Sequence, residues 1–291
     1  MKFGYHAAMC HPEYYIPLAK AAEEAGFNNF VIPDSVCFPE KPSKSIYPYN
    51  ESGKGDFLDG VPFLDPFTLI PVLASHTSSI RFTTHVMKLP IRQPVLVAKQ
   101  ISSIAVISGN RFTFGVGLSP WIEDFEVTQE LWEGRGKRMD EMIEVIQGLL
   151  SGDFYSFKGT FYDIPSIKLC PVPKKKIPWL MGGHSEAALK RAAKLLDGWT
   201  SAGLDYEETK KIIRRIDQLR NEYGTNDKAF YNLTMGPECY SPEGIHKLED
   251  IDVDECAVGF RDTYAGGEDD RTLQGMLDEI NYYSETVIQK V

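Results

Sequence analysis

A chain of 291 residues is long for one average domain, but α/β barrels reach that length as single units. Hydrophobic residues make up 43% of it and spread along its whole length, which is enough for a large core. A net charge of −10 opposes the counterion-release binding that basic proteins use on nucleic acid, and there is no basic helix suited to a membrane surface.

In chain order, β-rich runs stand at 2–6, 29–33, 80–86, 111–117, 177–181, 198–202, 230–235 and 255–260. Helical patterns follow them at 12–26, 66–77, 93–108, 134–150, 185–196, 205–223, 242–250 and 269–289, most with apolar residues three and four apart. Asp65 before Pro66, Asp205 before the 206–223 pattern, and Ser241 before Pro242 are side-chain acceptors placed to cap first turns. Eight strand–helix pairs predict a closed parallel (β/α)8 TIM barrel, ahead of an open doubly wound sheet. One domain over 1–291 is expected, with insertions at about 35–64 and 151–176. The first is rich in Pro, Gly and aromatic residues and follows the second strand, so it should cover the C-terminal mouth of the barrel. The second reads as a small hairpin followed by the surface-like "PVPKKK".

No apolar run approaches the roughly 18 residues of a spanning helix, and the N-terminal stretch lacks the apolar core of a signal peptide, so a cytoplasmic protein is expected. Cys10, Cys37, Cys170, Cys239 and Cys256 are scattered and never form a CxxC pair, which points to neither a disulfide framework nor a metal site.

The turn "MGGHSEAA" carries the sharpest local signal. Gly182, Gly183, His184 and Ser185 lead from a strand into a helix with unpaired backbone N–H groups. Such a turn is either an anion site at the helix N-terminus or simply a tight turn that needs a glycine. "GVGLSP" at 115–120 lacks the third glycine of a dinucleotide fingerprint and has Pro120 where a helix should begin, so a Rossmann site is rejected.

The succession "VIPDS", "DPFTLIPVLASHTSSIRFTTHVMKLPIRQPVLVAKQISSIAVISGNRFTFGVG" and "WLMGGHSEAALKRAAKLLDGW" resembles the luciferase-like family of flavin- and deazaflavin-dependent oxidoreductases over roughly residues 1–202. "YPY" within the first insertion and the closing "FLDP" are most similar to the branch that uses coenzyme F420, an 8-hydroxy-5-deazaflavin. The resemblance implies a cofactor ring at the C-terminal mouth and a phosphate on Gly182, Gly183, His184 and Ser185. It also implies a cis His85–Val86 peptide at a bulge behind the ring. By the same resemblance, Asp34, Ser35, Thr84, His85, Val86, Gly117 and Trp121 complete the cofactor-binding set, and a homodimer is expected.

Many relatives carry Asp-His where this chain has Asp34-Ser35, so the proton-handling role of that histidine must fall elsewhere or be unnecessary. His6, His85 and Glu123, each near the C-terminal end of a strand, are the catalytic candidates. Asp34 either meets the cofactor's polar edge or holds a neighbouring loop. Arg135 and Arg138 read as solvated helix charges with a structural partner. Phe38, Tyr47, Tyr49 or Phe57 should supply aromatic walls to the cavity. The reaction implied is hydride transfer between coenzyme F420 and a small organic substrate. An FMN-dependent monooxygenase and a non-catalytic flavin-binding barrel are the alternatives.

Overall fold

The computed structural model describes residues 1–41, 43–48, 50, 52–264 and 269–291. Eight parallel strands close into a barrel: β1 Lys2–His6, β2 Asn29–Ile32, β3 Arg81–Thr84, β4 Phe112–Gly117, β5 Trp179–Gly182, β6 Gly198–Thr200, β7 Tyr231–Thr234 and β8 Glu255–Val258. Each pairs with the next in sequence. The β1–β8 pairing, with Lys2 opposite Glu255, closes the ring. All eight runs expected from sequence are therefore strands, and the closed (β/α)8 barrel is correct.

Alternation along the strands explains the two apolar layers. Phe30, Phe82, Phe112, Phe114, Trp179 and Trp199 are fully buried and belong to the large outer core with the helices. Val31, Leu180, Leu233 and Ala257 form a separate cluster inside the barrel. Each such side chain contributes roughly 1.5–3 kcal/mol on burial, so most of the fold's stability comes from the strand–helix shell. The barrel floor is polar but satisfied: the buried Glu255 carboxylate accepts from Asn29 Nδ2 and from the Tyr231 hydroxyl, both at 2.6 Å.

The helices are α1 Tyr15–Glu24, α2 Pro66–His76, α3 Pro94–Ile107, α4 Ile122–Thr128, α5 Arg135–Leu149, α6 Glu186–Leu195, α7 Tyr206–Tyr223, α8 Pro242–Glu249 and α9 Leu273–Thr286. Asp65, Asp205 and Ser241 cap α2, α7 and α8 as expected, and Glu208 completes a capping box at α7. The last helical pattern starts later than expected because Thr272 accepts from Gly275 N–H and sets the N-cap there. None of these helices is long and apolar enough to cross a membrane.

Insertion 151–176 does contain a hairpin, Tyr155–Lys158 against Asp163–Ile167. The lysine run after it lies on the surface, with Lys176 paired to Asp197. Helix α4 was not expected from the sequence. Arg138 is not solvated but buried, donating to the Pro90 carbonyl oxygen at 3.0 Å, whereas Arg135 stacks on Trp132 with its guanidinium carbon 3.4 Å from the ring centroid.

Candidate active site

The C-terminal ends of the strands surround a cavity of about 420 Å³. At its base the chain leaves β3 through His85, and the His85–Val86 peptide bond is cis. Residues Met87–Lys88 then pair with Val116 and Gly117, the last two residues of β4. Val86 sits in a glycine cradle. A Cβ on Gly117 would come within 2.7 Å of Val86 Cγ2, and one on Gly182 within 2.7 Å of Val86 Cγ1. A Cβ on Gly115 would approach the Thr84 carbonyl oxygen to 2.0 Å. Three missing side chains on two strands, β4 and β5, thus let the bulge pack closely against them and leave the space above it open.

Two of the three catalytic candidates meet in this cavity. The rings of His6 and His85 lie edge to face, with centroids 5.6 Å apart. His85 Nε2 is 2.9 Å from the Ser201 carbonyl oxygen, and since a carbonyl only accepts, Nε2 carries the proton. Burial pushes His6 down to about 3, helped by the neighbouring His85, and pushes His85 down to about 4 against the opposing effect of the Ser201 hydrogen bond. Both imidazoles are therefore neutral at physiological pH, available as donors and acceptors without charge.

This has a consequence for stability. In the unfolded chain each histidine takes up a proton as pH falls through about 6.5, whereas the folded chain resists it down to the depressed values. The stabilisation is complete above pH 6.5 and is lost as pH falls toward 4. We expect urea midpoints of the wild type to drop between pH 6.5 and 4.5, and the double variant His6→Phe/His85→Gln to lose about 4 kcal/mol less over that interval, about 2 for each histidine. Parallel pH profiles for the two proteins would show that the pair is solvated and titrates normally.

Glu123 is not brought to the histidines. Its carboxylate accepts from Ser43 Oγ at 2.7 Å and Lys44 N–H at 2.9 Å, so it anchors the first insertion to α4. Although burial acts upward, these hydrogen bonds hold its carboxyl below the usual carboxylate pKa range. Thr84 is also displaced from the cavity, its hydroxyl donating to the Gly115 carbonyl oxygen at 2.7 Å within the sheet. Ser185 caps α6 by accepting from Ala188 N–H, and His184 Nε2 accepts from Ala202 N–H at 3.2 Å; neither lines the cavity.

Asp34, Ser35, Val86, Gly117, Trp121, Gly182 and Gly183 do line it. The Asp34 carboxylate holds a neighbouring segment, accepting from Lys88 N–H at 2.9 Å and from the Arg92 guanidinium at 2.9 and 3.0 Å, which is the second of the two roles expected for it. Gly183 has φ +110° and the backbone N–H groups of Gly183 and Ser185 have no acceptor among the described residues. The turn therefore both requires a glycine and presents donors at a helix N-terminus.

The insertion folds over the mouth. The rings of Tyr47 and Trp121 stack with centroids 5.1 Å apart and planes 1° from parallel, and Phe57 packs on Tyr47 and edge-on to Tyr264. Tyr47 and Phe57 line the cavity, whereas Phe38 lines a smaller one beside Trp121 and Tyr49 lies outside the described residues.

Sequence reasoning missed several cavity residues. Thr200 ends β6 and lines the cavity, and its buried hydroxyl has no hydrogen-bond partner among the described residues. Lys88, Ser201, Tyr264 and Arg271 also line the space, and Arg271 is saturated by Asp269 and Glu279. "GWTSA" marks a strand end, but nothing in its pattern tells which hydroxyl is left over.

These features define a closed α/β barrel with a covered, largely apolar cavity at its C-terminal mouth and an anion-ready turn beside it. The chain belongs to the luciferase-like monooxygenase family, which it matches over residues 1–240. This family holds flavin- and F420-dependent oxidoreductases and monooxygenases. An uncharacterized protein of Mycobacterium tuberculosis is 45% identical over 291 residues, the whole of both chains. The F420-dependent glucose-6-phosphate dehydrogenase of Microbacterium testaceum is 25% identical over 256 residues, covering 86% of this chain and 71% of that one. Among solved structures, monooxygenase RslO1 from Streptomyces bottropensis superposes with a TM-score of 0.77 at 14% identity, covering 100% of this chain and 99% of that one, a likeness of fold.

Proposed function

We propose that this protein moves a hydride between coenzyme F420 and a small organic alcohol or carbonyl compound held under the 35–64 insertion. The observation that carries this reading is the neutral His6–His85 pair standing beside the glycine-cradled Val86 bulge. Two uncharged imidazoles can hold a hydroxyl or carbonyl oxygen by hydrogen bonds without carrying a charge into an apolar space.

The residues present suit such a coenzyme. Val86 would back its ring, the orphaned Thr200 hydroxyl would meet a polar ring edge, and the Gly182–Gly183 turn would take the phosphate on backbone N–H groups, with His184 and Ser185 shaping the turn. When bound, F420 supplies hydride chemistry and, with carbon at ring position five, little reactivity toward oxygen. The chain orients the substrate oxygen at His6, fixes the His85 tautomer through Ser201, and excludes water with Tyr47, Phe57 and Trp121.

Titrating the purified protein separately with F420 and with FMN, followed by fluorescence, tests the coenzyme. The expected result is F420 binding at least tenfold tighter than FMN. Tight binding of FMN alone would favour a monooxygenase using reduced flavin and overturn this reading. Bound F420 whose absorbance no panel of small alcohols and ketones changes would favour a non-catalytic barrel.

A further inference from the structure

The side chain of Lys88 is 90% removed from solvent, and the residue lines the same cavity, whereas its partner Asp124 lines the smaller one beside Trp121. Its Nζ lies 2.7 Å from Asp124 Oδ2, and that carboxylate also accepts from the Ser119 hydroxyl. An ammonium has three N–H groups, and among the described residues Asp124 is the one ion-pair partner of this one. Leu118, Pro120, Trp121 and Phe63 line the same cavity, and an ammonium taken out of water with N–H groups to spare is costly unless something else meets them. Arg271, which lines the cavity too, is already engaged through Nε and both terminal nitrogens. The imidazole pair is neutral.

We propose that Lys88 is an anchor for a negatively charged oxygen on a flat, apolar ligand body, with Asp124 as the positioning residue that keeps the ammonium extended toward the ligand. The parallel Tyr47–Trp121 pair and the Phe57–Tyr264 edge contact supply the apolar surface for such a body. The oxygen can belong to the substrate, as a carboxylate, or to the ionised ring hydroxyl of the deazaflavin. Only the second source rests on the proposed coenzyme.

Calorimetric titration with benzoate in cofactor-free protein tests the first source, and the absorbance of bound F420 as a function of pH tests the second. Both use wild type, Lys88→Arg, Lys88→Met and the double variant Lys88→Met/Asp124→Asn, which leaves no stranded carboxylate and so guards against misfolding. If the substrate oxygen sits on Lys88, benzoate binding weakens at least roughly tenfold in Lys88→Met and the double variant, is largely retained in Lys88→Arg, and benzylamine does not bind. If the coenzyme oxygen does, the ionisation of bound F420 moves to higher pH in the same two variants while benzoate is indifferent to them. Equal benzoate affinity and an unmoved F420 titration across all four proteins would overturn the proposal. Because the benzoate arm needs no coenzyme, a failure of F420 to bind leaves that arm to stand or fall alone.

Discussion

Gly183→Val should weaken coenzyme binding about a hundredfold. The turn presents N–H groups at the start of α6, and a hydrogen bond to a charged group contributes about 1.5–3 kcal/mol, with roughly 0.3–1 kcal/mol more from the helix N-terminus. Losing about 3 kcal/mol corresponds to that factor. Valine also has to adopt φ +110°, at about 1–3 kcal/mol, which a domain stable by roughly 5–15 kcal/mol survives. The strain and the lost donors separate in one measurement, equilibrium dialysis with the phosphorylated coenzyme and its phosphate-free analogue. Wild type should strongly prefer the phosphorylated form and the variant should prefer it little. If both proteins discriminate equally, the phosphate binds elsewhere and the glycines serve the turn alone.

Replacing residues 36–63 by a short glycine-containing turn should leave coenzyme affinity within about threefold while turnover falls at least a hundredfold. The insertion is held at α4 by Glu123 with Ser43 and Lys44, by Ile122 N–H to Ser45 Oγ at 2.8 Å and by the Tyr47–Trp121 stack, and over the mouth by Phe57 packed with Ala8, Met9 and Tyr264. Asp34, which ties the Lys88 segment in place, lies before the deletion. Surface insertions add little to a barrel core, so the fold should persist. What disappears is the apolar cover that keeps water off the reacting atoms, an effect large enough to dominate turnover. Iodide should quench bound F420 in the deletion variant and not in wild type. Unchanged turnover would reassign the segment to another task, such as contact between copies of the chain. Glu123→Gln should move the protein part of the way toward the deletion.

The barrel was legible because its strands are runs of β-branched and aromatic residues between well-capped helices, so that Asp65, Asp205 and Ser241 announced helix starts as plainly as "NFVIP" announced a strand. Helix α4 was hidden by its seven-residue length and by Trp121, an N-cap whose side chain makes no capping bond. His6 and His85 could be found from the rule that strand ends point toward the mouth. The same rule misplaced Glu123, because its partners Ser43 and Lys44 stand 80 and 79 positions away in an insertion whose path no local periodicity encodes. Thr84 failed for a subtler reason: one residue of alternation decides between the inside of the barrel and the sheet, and the bulge that begins at His85 resets it. Lys88 carried no signal at all, since a lysine is ordinarily solvated and only the approach of Asp124 from α4 reveals it as buried.

The pairing of Lys2 with Glu255 also governs when the site comes into being. Strand β8 completes the ring late in the chain, and contacts so distant in sequence make closure a slow step with a large entropic demand. His6 belongs to the first strand, whereas Gly259, at the end of the last, packs so closely on it that a Cβ there would stand 3.0 Å from the His6 carbonyl oxygen. One side of the cavity therefore arrives with the first turn of the barrel and the other with the last. A nascent chain still lacking β8 has the turn at Gly183 but no finished pocket above it, so competence to hold a ligand and topological completion of the ring are reached together.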